Sequence, residues 1–105
     1  MLGEEHPNTL TTRHELALQI GNQGRYQEAE TEFRAIWEIW RRPEVLGVEH
    51  SHVLRVEFLI AKMLDRQGLE AEADRWLDGL ERRMVAQVSQ DHKYLVEFRA
   101  HINDR

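Results

Sequence analysis

Cysteine is absent from the 105 residues. No disulfide framework can staple this chain, and no thiolate is available as a nucleophile or zinc ligand. Long apolar runs are missing too. Nothing approaches the roughly 18 consecutive apolar residues needed to span a bilayer, so no membrane partner is expected. The chain opens with Glu4 and Glu5 where a secretory signal carries basic residues ahead of an apolar stretch, and the expected setting is cytoplasmic. Positive charge is in deficit, with 14 Lys and Arg against 19 Asp and Glu, a formal charge of −5. Nucleic-acid affinity rests largely on neutralising phosphates with cations, so nucleic acid is not an expected partner.

Catalytic constellations are also lacking. An enzyme needs a nucleophile beside a base, or carboxylates paired in a cleft. The acids here fall on helix surfaces, as with Glu28, Glu30 and Glu32, or at turns, as with Glu4, Glu5 and Asp91. Gly21 and Gly24 sit at the end of a helical pattern rather than after a strand, so they form no phosphate loop. The expectation is a protein that is not an enzyme and has no cofactor. Six histidines, two of them in an HxH pair at His50 and His52, raise the question of a metal. No metal site is expected, because His6, His50 and His92 recur about one repeat apart and no HExxH is present.

What the sequence does contain is a repeat. The stretch LGEEHPNTL at 2–10 returns as LGVEHSHVL at 46–54. His6 and His50 are 44 apart, as are Ala17 and Ala61, Gly24 and Gly68, and Ala29 and Ala73. A weaker third copy starts at VSQDHKYLVEF, where His92 follows His50 by 42. A fixed period of this size signals stacked supersecondary units. The copies are bounded as 2–45, 46–87 and a partial 88–105, in one domain.

Each copy reads as a helix pair. Leu10, Leu16, Ala17 and Ile20 recur at helix-face intervals, and after a break so do Tyr26, Ala29, Phe33, Ile36, Trp37 and Trp40. The break is QGRY in the first copy and QGLE in the second, with Gly24 and Gly68 placed to end a helix in left-handed conformation. Pro7 suits a first helical turn, and Ser51 is the expected cap of its counterpart. Five helices are predicted, at 7–22, 26–42, 51–66, 70–87 and 92–103. The four matched alanines let paired helices approach closely, while Phe33 and Leu77 fill the space beyond them. Trp37, Trp40 and Trp76 raise the question of an aromatic binding surface, but for Trp37, at helical spacing from Phe33, core or inter-repeat packing is the favoured expectation. Trp40 and Trp76 are expected to be partly exposed. One helix pair cannot bury both faces, so the predicted architecture is all-α, a right-handed α-solenoid of antiparallel pairs.

The motifs LGEEHPNTL, Leu16-Ala17 and GRYQEAE resemble the tetratricopeptide repeat in its longer, kinesin-light-chain-like variety of 42 residues. The likeness covers nearly the whole chain. It weakens in the second copy, where Ser51 stands for the proline, Ile60 for a leucine and GLEAEAD for GRYQEAE. The resemblance implies a protein-protein interaction module whose first helices line a concave peptide-binding groove. Carried over by position, the groove residues are Thr11, His14, Leu18 and Asn22, then Arg55, Phe58, Lys62 and Arg66, then Glu97, Ala100 and Asp104. The second set also stands out on spacing alone, at intervals of 3, 4 and 4 on one helix side. Leu18 and Phe58 are expected to give apolar contact, and Arg55, Lys62 and Arg66 to hold an acidic peptide. Neutralisation of these cations by Glu57, Asp65 or a neighbouring helix is the competing reading. Two other functions compete: a scaffold that self-assembles as a homodimer through the 92–103 helix, and a regulatory or sensor arm of a larger bacterial signalling protein.

Overall fold

Two glycines end two helices by the same hydrogen bonds. The computed structural model describes residues 7–105, which form α1 (Pro7–Asn22), α2 (Tyr26–Trp40), α3 (Ser51–Arg66), α4 (Glu70–Leu77), α5 (Leu80–Gln87) and α6 (Lys93–Asp104), with no strand among them. After α1, the Gly24 N–H donates to Gly21 C=O at 2.9 Å and the Arg25 N–H to Ile20 C=O at 3.2 Å. After α3, the Gly68 N–H donates to Asp65 C=O at 3.0 Å and the Leu69 N–H to Leu64 C=O at 2.9 Å. Both pairs form a Schellman closure, and it places the glycine at positive φ, here 84° and 80°. The helices that follow begin at Tyr26 and Glu70, and the helices before them at Pro7 and Ser51, so both starts keep the 44-residue offset. The first five residues of the LGEEHPNTL phrase, Leu2 to His6, lie outside the described residues.

Three sequence expectations are corrected. The helix expected at 70–87 is two helices, interrupted where Asp78 turns extended (φ −60°, ψ 119°) and Gly79 turns left-handed (φ 71°). The cap of α3 is His50 rather than Ser51: its Nδ1 accepts the His52 N–H at 3.0 Å. His92 repeats the device on α6, with Nδ1 accepting the Tyr94 N–H at 3.1 Å. A neutral imidazole on an extended residue satisfies an otherwise orphan amide of the first turn as a Ser oxygen would. Third, Trp40 is buried, 3% exposed, and stacks on His14 with centroids 5.8 Å apart. Its neighbours close over it because α1 and the start of α3 both cross the end of α2, His52 adding a second ring at 5.8 Å.

Packing follows the small residues. Ala17, Ala29, Ala61 and Ala73 are fully buried, and a Cβ on Gly21 would stand 3.1 Å from the Met63 sulfur. Such close backbone approach is what small residues at helix contacts permit. Ten of the sixteen residues of α3 are buried, which makes it the central helix, with α2, α4, α5 and α6 packed around it. Burial in α1 is one-sided. Leu10 and Ala17 are fully covered while Leu16 is 53% exposed, since no described element packs on its side. The helices fill a body of 42 × 31 × 22 Å.

Candidate functional site

On α3, residues 55, 62 and 66 fall within about 40° of one another around the axis, and this strip escapes the burial of the rest of the helix. It faces a cavity of about 400 Å³ shared with α1 and α6. Of the eleven groove residues expected from sequence, six border it: Leu18, Asn22, Arg55, Lys62, Arg66 and Glu97. Tyr26 adds apolar surface, Leu59 borders the cavity while itself almost wholly buried, and Glu97 adds a carboxylate from α6. Ala100 and Asp104, also expected there, are exposed on α6 but do not border the cavity.

His14 and Phe58 are not brought to this cavity. Phe58 is fully buried, its ring 5.6 Å from those of both Phe98 and His101. The expected apolar contact at Phe58 is therefore corrected: α6 packs over that side of α3, and Leu59 takes the place facing α1. Intervals of 3, 4, 4 through Phe58 and 4, 3, 4 through Leu59 are equally helical, so spacing could not choose between them. His14 lies deeper, edge-on to Phe33 at 5.5 Å, and borders a separate small cleft with Trp40, His52, Arg55 and Tyr94. Burial first, then the charges of Arg55 and His52, lower its pKa to about 4, so the ring is neutral at pH 7. His52 is shifted the same way by its own burial and by the charges of His50, Arg55 and Lys93.

The three cations of the strip differ in their partners. Arg55 is half-buried, 3.3 Å from Glu97, with its guanidinium 4.9 Å over the Tyr94 ring. For this residue the reading of a neutralised cation is right. Lys62 and Arg66 have no ion pair among the described residues, and the two acids of α3 weighed as their partners are engaged elsewhere. Glu57 accepts from Arg83 at 2.9 Å. Asp65 accepts from His101 at 2.6 Å and Arg105 at 2.9 Å. Burial would raise the Asp65 pKa, but the hydrogen bonds from Arg105 and His101 outweigh it and the net shift is downward. Arg105 is held protonated by its hydrogen bonds to Asp65 and Asp74.

No group of three or more His, Asp or Glu residues able to hold a metal ion occurs among the described residues. The His50 and His52 rings are 4.9 Å apart, but His50 Nδ1 is taken by the helix cap. None of the described helices is long and apolar enough to cross a membrane. Comparison of the chain with protein-family models, with curated proteins and with solved structures gives no match.

Proposed function

We propose that the chain is a tetratricopeptide-like module, a short right-handed solenoid without catalytic activity, that binds a peptide segment of a partner protein in the groove between α1, α3 and α6. The observation that carries this reading is the state of Lys62 and Arg66: two cations with no ion pair among the described residues, in a chain of net charge −5, facing a cavity of about 400 Å³. With no internal pair to break among the described residues, a ligand carboxylate meets these cations directly. Leu18 and Tyr26 give the peptide an apolar wall. Arg55, tied to Glu97, fixes α6 against α3 as the groove's far side.

The test is fluorescence anisotropy with labelled acidic and basic peptides, against wild type and Lys62→Glu/Arg66→Glu. Preferential binding of acidic peptides, weakened by added salt and lost in the double variant, is the expected result. Screening acts over about 8 Å at physiological ionic strength, so exposed charges respond strongly. Equal affinity for both peptide classes would remove the groove from consideration.

A homodimeric scaffold is the second reading, and one observation favours it. Val96 and Ile102 on α6 are 54% and 37% exposed, although Leu54 and Ile60, 42 residues earlier on α3, are buried. Light scattering across a concentration series separates the two readings. A monomer at all concentrations supports the peptide module, and a dimer dispersed by Val96→Glu/Ile102→Glu supports assembly.

A further inference from the structure

Glu57 follows Arg55 by two residues and so lies about 200° around α3, on the side away from the groove. Its carboxylate is buried, 7% exposed, and accepts from the Trp37 indole N–H at 3.2 Å and from Arg83 at 2.9 Å. Arg83 is anchored further by Glu49 and by the Val48 carbonyl. Burial alone would lower the Arg83 pKa, yet Glu57 and Glu49 leave it raised. These contacts make a fixed floor. Over it opens a cavity of about 350 Å³ bordered by Trp37 and Trp76, whose rings meet edge to face at 5.0 Å.

We propose that this cavity is a second binding site, for a short peptide segment that carries an aromatic side chain beside a carboxylate. The rings supply edges and faces for an aromatic partner, an arrangement that favours such a partner beyond the area it buries. The charge comes from two arginines at the rim. Arg34 is near Trp76 but is held by Glu30 and Glu72, and Arg83 is held by Glu57. Arg41 and Arg75 are exposed and have no recorded ion pair among the described residues. Arg41 rests 4.5 Å over the Trp37 ring, which orients its planar fork for a carboxylate.

The shape favours an extended segment. Beyond Arg41 and the exposed Val48 the cavity adjoins a wider depression of about 720 Å³ along the loop between α2 and α3. Dense phosphate is disfavoured by the acids around it: Glu57 beneath, Asp78 at the rim, and Glu38 and Glu49 along the depression. A single carboxylate meets two arginines there, whereas a polyphosphate meets four acids.

The experiment uses the full chain labelled with ¹⁵N and follows the indole N–H resonances of its tryptophans, with Trp76→Phe assigning one of them. Probes are blocked heptapeptides with Glu-Phe-Glu, Glu-Ala-Glu or Lys-Phe-Lys at the centre. Glu-Phe-Glu is expected to shift Trp37 and Trp76 and leave buried Trp40 in place. Replacing Phe with Ala, or introducing Arg41→Gln/Arg75→Gln, is expected to weaken binding about tenfold or more. Both arginines are exposed, and circular dichroism verifies that the variant is folded. In Lys62→Gln/Arg66→Gln, which removes the groove's cations, the Trp37 and Trp76 shifts are expected to keep their wild-type size and midpoint, so that this site is read separately from the groove. The proposal is overturned if Trp37 and Trp76 do not move at millimolar Glu-Phe-Glu, or if the arginine variant binds equally well. It is also overturned if Lys-Phe-Lys or a tetranucleotide binds more tightly, or if only the groove variant loses binding.

Discussion

The second helix of the first copy, α2, runs unbroken for 15 residues, whereas its counterpart in the second copy stops at Leu77 and restarts at Leu80. The buried positions nevertheless keep step. Ala29, Ile36 and Trp40 are covered in one, and Ala73, Leu80 and Met84, each 44 residues later, in the other. The break therefore does not slip the hydrophobic register. It accompanies a change of polar contacts: Ile39 is half-buried on α2, and the matching residue on α5 is Arg83, which reaches Glu57, Glu49 and the Val48 carbonyl. The lesson is that an apolar pattern fixes which residues go inward, while a continuous helix also requires the backbone to favour it at every position.

The sharpest way to break the comparison is at the residue that the copies fill differently, His14 in the first and Phe58 in the second. Phe58→Ala is expected to lower unfolding free energy by about 3–5 kcal/mol, the range for emptying a buried aromatic site. Urea denaturation measures it. A loss below about 1 kcal/mol would return Phe58 to the surface strip and undo its placement against Phe98 and His101.

The next effect is a pH dependence present only in the first copy's version of that site. His14 in the folded chain titrates near 4, against an ordinary value of 6.5. Between these values the unfolded chain binds the extra proton and the folded chain does not. Stability is therefore highest above pH 6.5 and falls as pH drops towards 4, by roughly 3 kcal/mol if the full shift is realised. His52, also lowered, acts in the same direction. Asp65 is depressed below its usual 3.8 and enters only at lower pH. His14→Phe, which installs the second copy's residue, is expected to flatten the thermal-melting profile between pH 7 and pH 4.5. An unchanged slope would assign the dependence to other groups.

Much of this architecture was legible because it rests on matched small residues. The alanine pairs and the glycines at 24 and 68 act through backbone approach and positive φ, which few side chains can replace. The helix ends at 22 and 66 followed from the glycines, and the starts at 7 and 51 from Pro7 and the matched position of Ser51. The burial of Phe58 was not legible, since only the docking of α6 distinguishes it from Leu59. Of the site around Trp37 and Trp76 only the tryptophans stood out, since its floor joins Glu57 on α3 to Arg83, 26 residues away and beyond a helix break. The signal that existed was Gly79 in the interior of a helical pattern. A glycine there weakens a helix by about 1 kcal/mol relative to alanine, and the first copy has Ala35 at the matching place.

That pair supports the smallest and most symmetrical prediction, an exchange of the two residues. Ala35→Gly is expected to destabilise by about 1 kcal/mol through helix propensity alone, with α2 remaining continuous. Gly79→Ala meets no crowding, because a Cβ there has nothing within 4 Å, but it must hold φ near 71°. A left-handed alanine costs roughly 1–2 kcal/mol. The chain could escape that strain by straightening α4 and α5 into one helix, which would move Arg83 relative to Glu57. Urea denaturation gives the energies, and the Trp37 indole resonance reports the floor, since that N–H is bonded to Glu57. A loss of about 1–2 kcal/mol with an unmoved Trp37 resonance is expected, because Arg83 is anchored at three acceptors and holds the break in place. Neutral or increased stability with a displaced Trp37 signal would mean that glycine's weak helix propensity alone separates α4 from α5, and that alanine at position 79 makes the second copy like the first.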